Sequence, residues 1–144
     1  MNHSFSRIAI LIPTLNPKQE LLELAKKLSF FDWNQIIIIN DGSSKTSHKV
    51  FTQLDQINNI QILNHSSNKG KGAALKTGIK FLIQNQSEID GLITVDSDGQ
   101  HLIKDIEKVA IEVCIRKNDI IFGVRSFNKD TPAKSKFGNR ITKH

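Results

Sequence analysis

Asp96 and Asp98 stand two residues apart in Asp96-Ser97-Asp98-Gly99-Gln100-His101, directly after the apolar run Leu92–Val95. Two carboxylates at that spacing can meet one hard cation where the chain turns, and Gly99 permits the turn. Such cations prefer oxygen ligands and keep positions open for substrate phosphates. Gln100 adds an oxygen and His101 a nitrogen, although a histidine here serves more readily as a helix-start or packing residue. Asp-Gly pairs are also ordinary turn chemistry, so the motif takes its weight from its place after a buried strand.

Three further clusters follow apolar runs. Asn40-Asp41-Gly42-Ser43-Ser44 comes after Gln35–Ile39. The Asp41 carboxylate can accept hydrogen bonds from a base edge or ribose hydroxyls; a turn with a Ser or Thr helix cap is the plainer reading. Asn68-Lys69-Gly70-Lys71-Gly72-Ala73-Ala74 opens a helical pattern, where glycines let backbone approach a ligand and a helix N-terminus favours anions. It matches neither the phosphate-binding P-loop nor the Gly-x-Gly-x-x-Gly spacing. Gly123-Val124-Arg125 ends the last apolar run; Arg125 can hold a phosphate through two hydrogen bonds or be an ordinary surface arginine.

The elements that must position these residues alternate. Strands are expected at Ile8–Ile12, Gln35–Ile39, Ile60–Leu63, Gly91–Val95 and Asp119–Phe122, all short and rich in β-branched residues. Unbroken apolar runs such as Ile36–Ile39 predict strands covered on both faces. Helical patterns lie at about 17–29, 46–56, 72–84 and 102–116, with a weaker one at 133–142. Asn16 reads as the N-cap of the first, ahead of Pro17. Leu75, Ile79, Leu82 and Ile83 read as the core face of the third, and Gly78 as a point of close packing on the sheet. The fold class is therefore α/β, an open and mostly parallel sheet with helices on both faces. Ligands of such sheets bind outside the carboxyl ends of the strands, where all four clusters fall.

Bulk properties narrow the function. The 144 residues suffice for one domain. No window approaches the ~20 apolar residues of a membrane span, and the short run before Pro13 reads as a strand rather than a signal peptide. The single Cys114 excludes an internal disulfide framework and a cysteine-rich zinc site, and is expected to be a buried structural thiol. Net charge is +6, from 20 basic and 14 acidic residues. Residues 1–115 balance at 12 and 12, so the excess lies in residues 116–144, with eight basic and two acidic. Such an end suits a phosphate-bearing ligand, an anionic membrane surface or nucleic acid, or is a solvated tail.

In order, Pro13-Thr-Leu-Asn16, Asn-Asp-Gly-Ser, Asn-Lys-Gly-Lys-Gly-Ala-Ala-Leu-Lys-Thr-Gly, Asp-Ser-Asp-Gly-Gln-His and Gly-Val-Arg resemble glycosyltransferase family 2 across residues 8–125. The nearest likeness is to its dolichyl- or polyprenyl-phosphate sugar synthases. The resemblance implies a Rossmann-like GT-A core over 1–125 and, over 126–144, the incomplete basic start of an acceptor-side region. It implies a UDP- or GDP-sugar donor, Mg²⁺ or Mn²⁺, a polyprenyl phosphate or cell-envelope glycan acceptor, and no nucleic acid. It also implies a cytoplasmic protein, peripheral on the cytoplasmic face of the membrane. By the same resemblance Pro13 and Asn16 lie in the first nucleotide-contacting loop, Asp41 binds the base side of the donor, and Lys71 lies near base and ribose. Asp96 contacts ribose or sugar, and Asp98 holds the metal with the diphosphate, with Gln100 as a second ligand. Asp98 and Arg125 are the catalytic positions, Arg125 approaching phosphate, and Arg140 is the basic position on the acceptor side.

The pattern departs from the family at Pro17, where an acidic residue is usual, and at Lys45-Thr46, where an Asp usually follows the Asp-Gly-Ser turn. Relatives also continue past the position of His144, so a truncated or partner-dependent protein is expected. Two rival functions have specific counter-evidence. A nucleotidyltransferase needs a Gly-rich basic loop directly after the first strand, and Pro13–Asn16 is not one. A nucleic-acid binder would show a recognised motif or interleaved aromatics. A non-catalytic nucleotide-sugar-binding remnant is the remaining alternative.

Overall fold

The computed structural model describes residues 4–85, 88–116, 119–121 and 123. Among these residues four strands, β1 (Ile8–Thr14), β2 (Gln35–Asn40), β3 (Ile60–Asn64) and β4 (Gly91–Thr94), form one sheet in the order β3-β2-β1-β4. Every pairing is parallel. Four helices connect and cover them: α1 (Gln19–Leu28), α2 (His48–Leu54, entered through a 3₁₀ turn at Lys45–Ser47), α3 (Lys71–Gln84) and α4 (Ile103–Ile115). This is the open parallel sheet with helices on both faces that the sequence predicts. The expected fifth strand is not seen: residues 119–121 are not in a strand, Phe122 lies outside the described residues, and so does the 133–142 segment.

Strand alternation divides the core in two. Ile8, Ile10, Ile12, Ile36 and Ile38 pack beneath α1, α2 and α4 with Leu21, Leu28, Leu54 and Ile106. Ala9, Leu11, Ile37 and Ile39 face the other way, against Ala74 and Leu82 of α3. All nine strand residues are at most 1% exposed, which explains why their sequence is unbrokenly apolar.

Pro13 sits inside the central strand, where a missing N–H usually breaks a ladder. Asp41 N donates to Thr14 O and Val95 N to Leu11 O, so even-numbered residues of β1 bond toward β2 and odd-numbered ones toward β4. Pairing with β4 stops at Leu11↔Thr94, so Pro13 faces a side with no ladder bond to lose.

The expected α3 face is half right: Leu82 is buried, Leu75 packs against the same core and Gly78 meets the sheet closely, but Ile79 and Ile83 do not join them. Ala74, Gly78 and Leu82 are buried, whereas Ile79 and Ile83 are 37% and 71% exposed. Gly78 sets the helix phase: a Cβ there would stand 3.1 Å from both Ile39 and Leu11 side chains, so the helix meets the sheet along its small residues. At the amino end of the sheet Phe5 stacks on Trp33 with ring centroids 4.6 Å apart, and Trp33 Nε1 donates to Leu28 O. This aromatic plug closes the edge opposite to the polar loops. No helix among the described residues is long and apolar enough to cross a membrane.

Candidate functional site

Strand order reverses between β1 and β4: the chain moves outward from β1 through β2 to β3, then returns to β4 on the far side of β1. Ligands of open α/β sheets bind in the crevice that such a switch creates beyond the strand ends. The loop after β4 carries Asp96, Asp98 and Gln100, and the loop after β1 carries Asn16, so the topology brings these segments to one edge.

Asn16 does not cap α1, which starts at Gln19 with Lys18 before it and no side-chain cap. Its backbone is left-handed (φ 51°), a conformation Asn tolerates better than most residues. Asn16 N donates to Ser43 Oγ at 2.8 Å, and Asn16 Oδ1 accepts from Ser44 N at 2.8 Å. The first loop is thereby fastened to the Asp-Gly-Ser turn. Pro13 is buried at the end of β1. Thr14 beside it is 4% exposed, and its hydroxyl has no hydrogen-bond partner among the described residues.

Asp41 is 4% exposed and turned inward. Its Oδ1 accepts from Lys69 N at 2.9 Å and Oδ2 from Gly70 N at 2.7 Å; His65 Nδ1 approaches Oδ1 to 2.6 Å. The carboxylate thus organises the Gly-rich loop, where the resemblance alone would direct it to a base. Burial on its own would raise the Asp41 pKa, but the hydrogen bonds from Lys69, His65 and Gly70 outweigh it and hold the group below the usual 3.8.

Lys71, the first residue of α3, reaches across the strand ends to Asp96, with Nζ 2.5 Å from Oδ1. His101 Nε2 lies 3.7 Å from the other oxygen, Oδ2. The Lys71 hydrogen bond is the main reason that the Asp96 pKa falls below 3.8, against a partial burial that opposes it. Asp98 is exposed, and its Oδ1 accepts from Gln100 N at 3.0 Å, closing the turn. Gln100 is exposed beside it. The described residues contain no group of three or more His, Cys, Asp or Glu that could enclose a metal ion. This donor set suits a hard cation that takes most of its ligands from a phosphate-bearing substrate and water. Arg125 and Arg140 lie outside the described residues, as does segment 126–144.

A recess of about 450 Å³ opens on the other side of the Asp-Gly-Ser turn, lined by Asn40, Ser43, Ser44, Lys45, His48 and Phe51. Lys45 therefore stands at its rim, a cation where the family pattern has a carboxylate.

His65 and Thr77 were not singled out from the sequence, yet both touch Asp41's network: His65 Nε2 is 2.8 Å from Thr77 Oγ1. The strand register of the folded chain brings His65 there. β2 and β3 pair Ile36↔Ile60 through Asn40↔Asn64, and one step further the same offset sets Asp41 beside His65. Thr77 stands in the 68–78 run that carries the resemblance, without a role of its own there.

The lowered carboxyls predict an acid limb of stability. Asp32 is also held below 3.8, chiefly by Phe5 N and then by Ser4 Oγ. Because the folded protein holds these groups below their ordinary values, it binds fewer protons than the unfolded chain in that range. Their contribution is complete above roughly pH 5 and is lost as pH falls through the folded values. Asp41→Asn is expected to flatten the fall of the urea midpoint between about pH 5 and pH 2. Parallel falls in variant and wild type would remove Asp41 from the set.

Comparisons with known proteins show the family and the fold. The family model for "Glycosyl transferase family 2" matches residues 9–142. An uncharacterised protein of Methanocaldococcus jannaschii is 32% identical over 137 residues, 92% of this chain and 54% of that protein. The UDP-N-acetylglucosamine–dolichyl-phosphate N-acetylglucosaminyltransferase of Methanococcus voltae is 28% identical, over 92% of this chain and 59% of its own. The dolichyl-phosphate beta-glucosyltransferase of Dictyostelium discoideum is 37% identical, over 84% of this chain and 38% of its own. The chain thus spans little more than half the length of the first two relatives, and less of the third. The crystal structure of S. aureus TarS 1–349 superposes with a TM-score of 0.53 at 20% identity, covering 74% of this chain and 32% of that one, a likeness of fold.

Proposed function

The chain belongs to glycosyltransferase family 2, and on that premise we propose that it carries the donor-binding half of a metal-dependent transferase moving sugar from a nucleotide diphospho-sugar to a polyprenyl phosphate. One observation carries the reading: Asp98 stands exposed at the switch point of the sheet, next to an Asp96 already engaged by Lys71. A site that binds a diphosphate through a cation needs an accessible carboxylate flanked by positive charge.

In this reading Asp98 and Gln100 hold Mg²⁺ or Mn²⁺, which supplies Lewis-acid stabilisation of the departing diphosphate. Asp96 meets ribose or sugar, and Lys71 sits where it can exchange that carboxylate for a phosphate oxygen. Pro13, Asn16 and Asp41 shape the loops around the nucleotide, Arg125 approaches phosphate, and Arg140 serves the acceptor side. The donor is a UDP- or GDP-sugar, and the UDP-N-acetylglucosamine in one relative's name supports the first. The dolichyl phosphate in two relatives' names supports a lipid phosphate acceptor. Such an acceptor is already ionised and needs no strong general base. The basic excess in residues 116–144 favours docking on an anionic membrane at its cytoplasmic face.

A thermal-shift panel of UDP-, GDP- and dTDP-sugars with and without Mn²⁺ tests the reading. One nucleotide sugar at about 100 times its Kd is expected to add about 2.7 kcal/mol of stability, roughly 5–10 °C in Tm, and only with the metal present. No shift with any donor and metal would overturn it.

A further inference from the structure

His65 is wedged between a carboxylate and a hydroxyl, and its side chain is 6% exposed. Nδ1 lies 2.6 Å from Asp41 Oδ1, and Nε2 lies 2.8 Å from Thr77 Oγ1. An ionised carboxylate can only accept, so Nδ1 carries the hydrogen. In the neutral ring Nε2 is then an acceptor, and the Thr77 hydroxyl donates to it. The order carboxylate, imidazole, hydroxyl is that of an acyl-transfer triad. Here, however, the imidazole is buried under its own chain, out of reach of an external substrate.

What the network does is mechanical. His65 N donates to Asn40 O at 2.8 Å, extending the β2–β3 ladder by one residue, so the imidazole starts from a fixed backbone position. Thr77 lies in the second turn of α3, whose packing against β1 and β2 is set by Gly78 next to it. The imidazole therefore joins the ends of two strands to a rigid helix and leaves the Asp41 carboxylate one orientation. In that orientation the carboxylate takes the amides of Lys69 and Gly70, and the next residue is Lys71, which reaches Asp96.

We propose that His65, anchored by Thr77, is a positioning residue for the donor site: it orients Asp41, which fixes the Gly-rich loop and with it the place of Lys71 beside Asp96. This rests on the donor-binding reading above. His65 touches no reacting atom; its effect passes through Asp41 to the loop, and falls on donor affinity.

The test uses the full chain, with ¹⁵N-labelled histidine, amide hydrogen exchange and titration of a UDP- or GDP-sugar with Mn²⁺. The His65 ring is expected to show the Nδ1-protonated tautomer. In His65→Ala the Lys69 and Gly70 amides exchange about tenfold faster or more, while those of β1 and β2 keep their wild-type rates. Donor Kd rises in the same direction. Thr77→Val, which keeps the shape and removes only the hydroxyl, gives a smaller change of about threefold, and serves alone should His65→Ala fail to fold. His65→Gln, able to bridge the same partners, recovers part of the loss. The proposal is overturned by the opposite tautomer, by Lys69 and Gly70 changing no more than the strand amides, or by unchanged donor affinity despite faster loop exchange. A failed donor reading looks different: the wild type itself then binds no nucleotide sugar, whereas a failed strut appears only as the absence of a difference between variants.

Discussion

Asp98→Asn is expected to abolish the Mn²⁺-dependent part of nucleotide-sugar binding and leave the melting temperature of the free protein within a few degrees of wild type. The substitution keeps the side-chain shape, and an amide oxygen can still accept from Gln100 N, the one bond that Asp98 makes to its own turn. It removes a negative charge that faces solvent. Hard cations held by few protein ligands depend strongly on carboxylate charge, because the remaining ligands come from water and substrate. The Tm gain of roughly 5–10 °C expected of wild type with donor and metal should disappear. Asp96→Asn separates the two carboxylates. It loses the ion pair with Lys71 and is expected to weaken donor binding with and without Mn²⁺. If Asp98→Asn binds donor and Mn²⁺ as wild type does, the cation is held elsewhere or not at all.

Gly42→Ala is expected to be the most damaging added methyl among the described glycines. Gly42 has φ +74°, and a Cβ there would stand 2.3 Å from Ser67 C, 2.4 Å from Asn68 N and 2.6 Å from Ser67 Cα. The left-handed backbone alone costs about 1–2 kcal/mol for an alanine. The overlap is with main chain, which cannot rotate aside, so the Asp-Gly-Ser turn or residues 67–68 must move, adding about 1–3 kcal/mol. At roughly 2–4 °C per kcal/mol for a chain of this size, the melting temperature should fall by about 5 °C or more. The shift would also part Asp41 from the amides of Lys69 and Gly70. A variant melting with wild type would mean that the two loops separate without penalty. Gly70→Ala offers a control, since nothing lies within 4 Å of its added carbon although its φ is +89°.

The strands and helices were legible because the buried sheet demands unbroken apolar runs. Ile8–Ile12 and Ile36–Ile39 are short, β-branched and bounded by turn residues, and the polar clusters follow them at one edge. The phase of α3 was harder to read. Leu75, Ile79, Phe81, Leu82 and Ile83 spread over more than one face; Gly78 was legible as the contact point, but Ala74 beside it was not, because a count of large apolar positions undervalues small residues. Asn16 misled for a related reason: asparagine suits both a helix cap and a left-handed turn, and Ser43 and Ser44 claim it for the turn. Asp41 followed the strand alternation. It continues the odd-numbered series Ile37 and Ile39, so its side chain goes to the α3 face and meets His65. Alternation was visible in the sequence; the β2–β3 register that supplies the partner was not. The residues assigned to phosphate and acceptor, Arg125 and Arg140, lie outside the described residues.

The order of strands has a kinetic consequence. β1 is central, yet its two neighbours come from opposite ends of the described core: Ile10 pairs with Ile36 on one side and with Ile93, 83 residues later, on the other. On a ribosome the first three strands can assemble early, but one flank of β1 must wait for residues near 94 to emerge. Loop closure over that distance is slow compared with the local β1–β2 step. The nascent chain therefore passes through a stage with an apolar strand edge bare, which is the state most exposed to aggregation and to capture by chaperones.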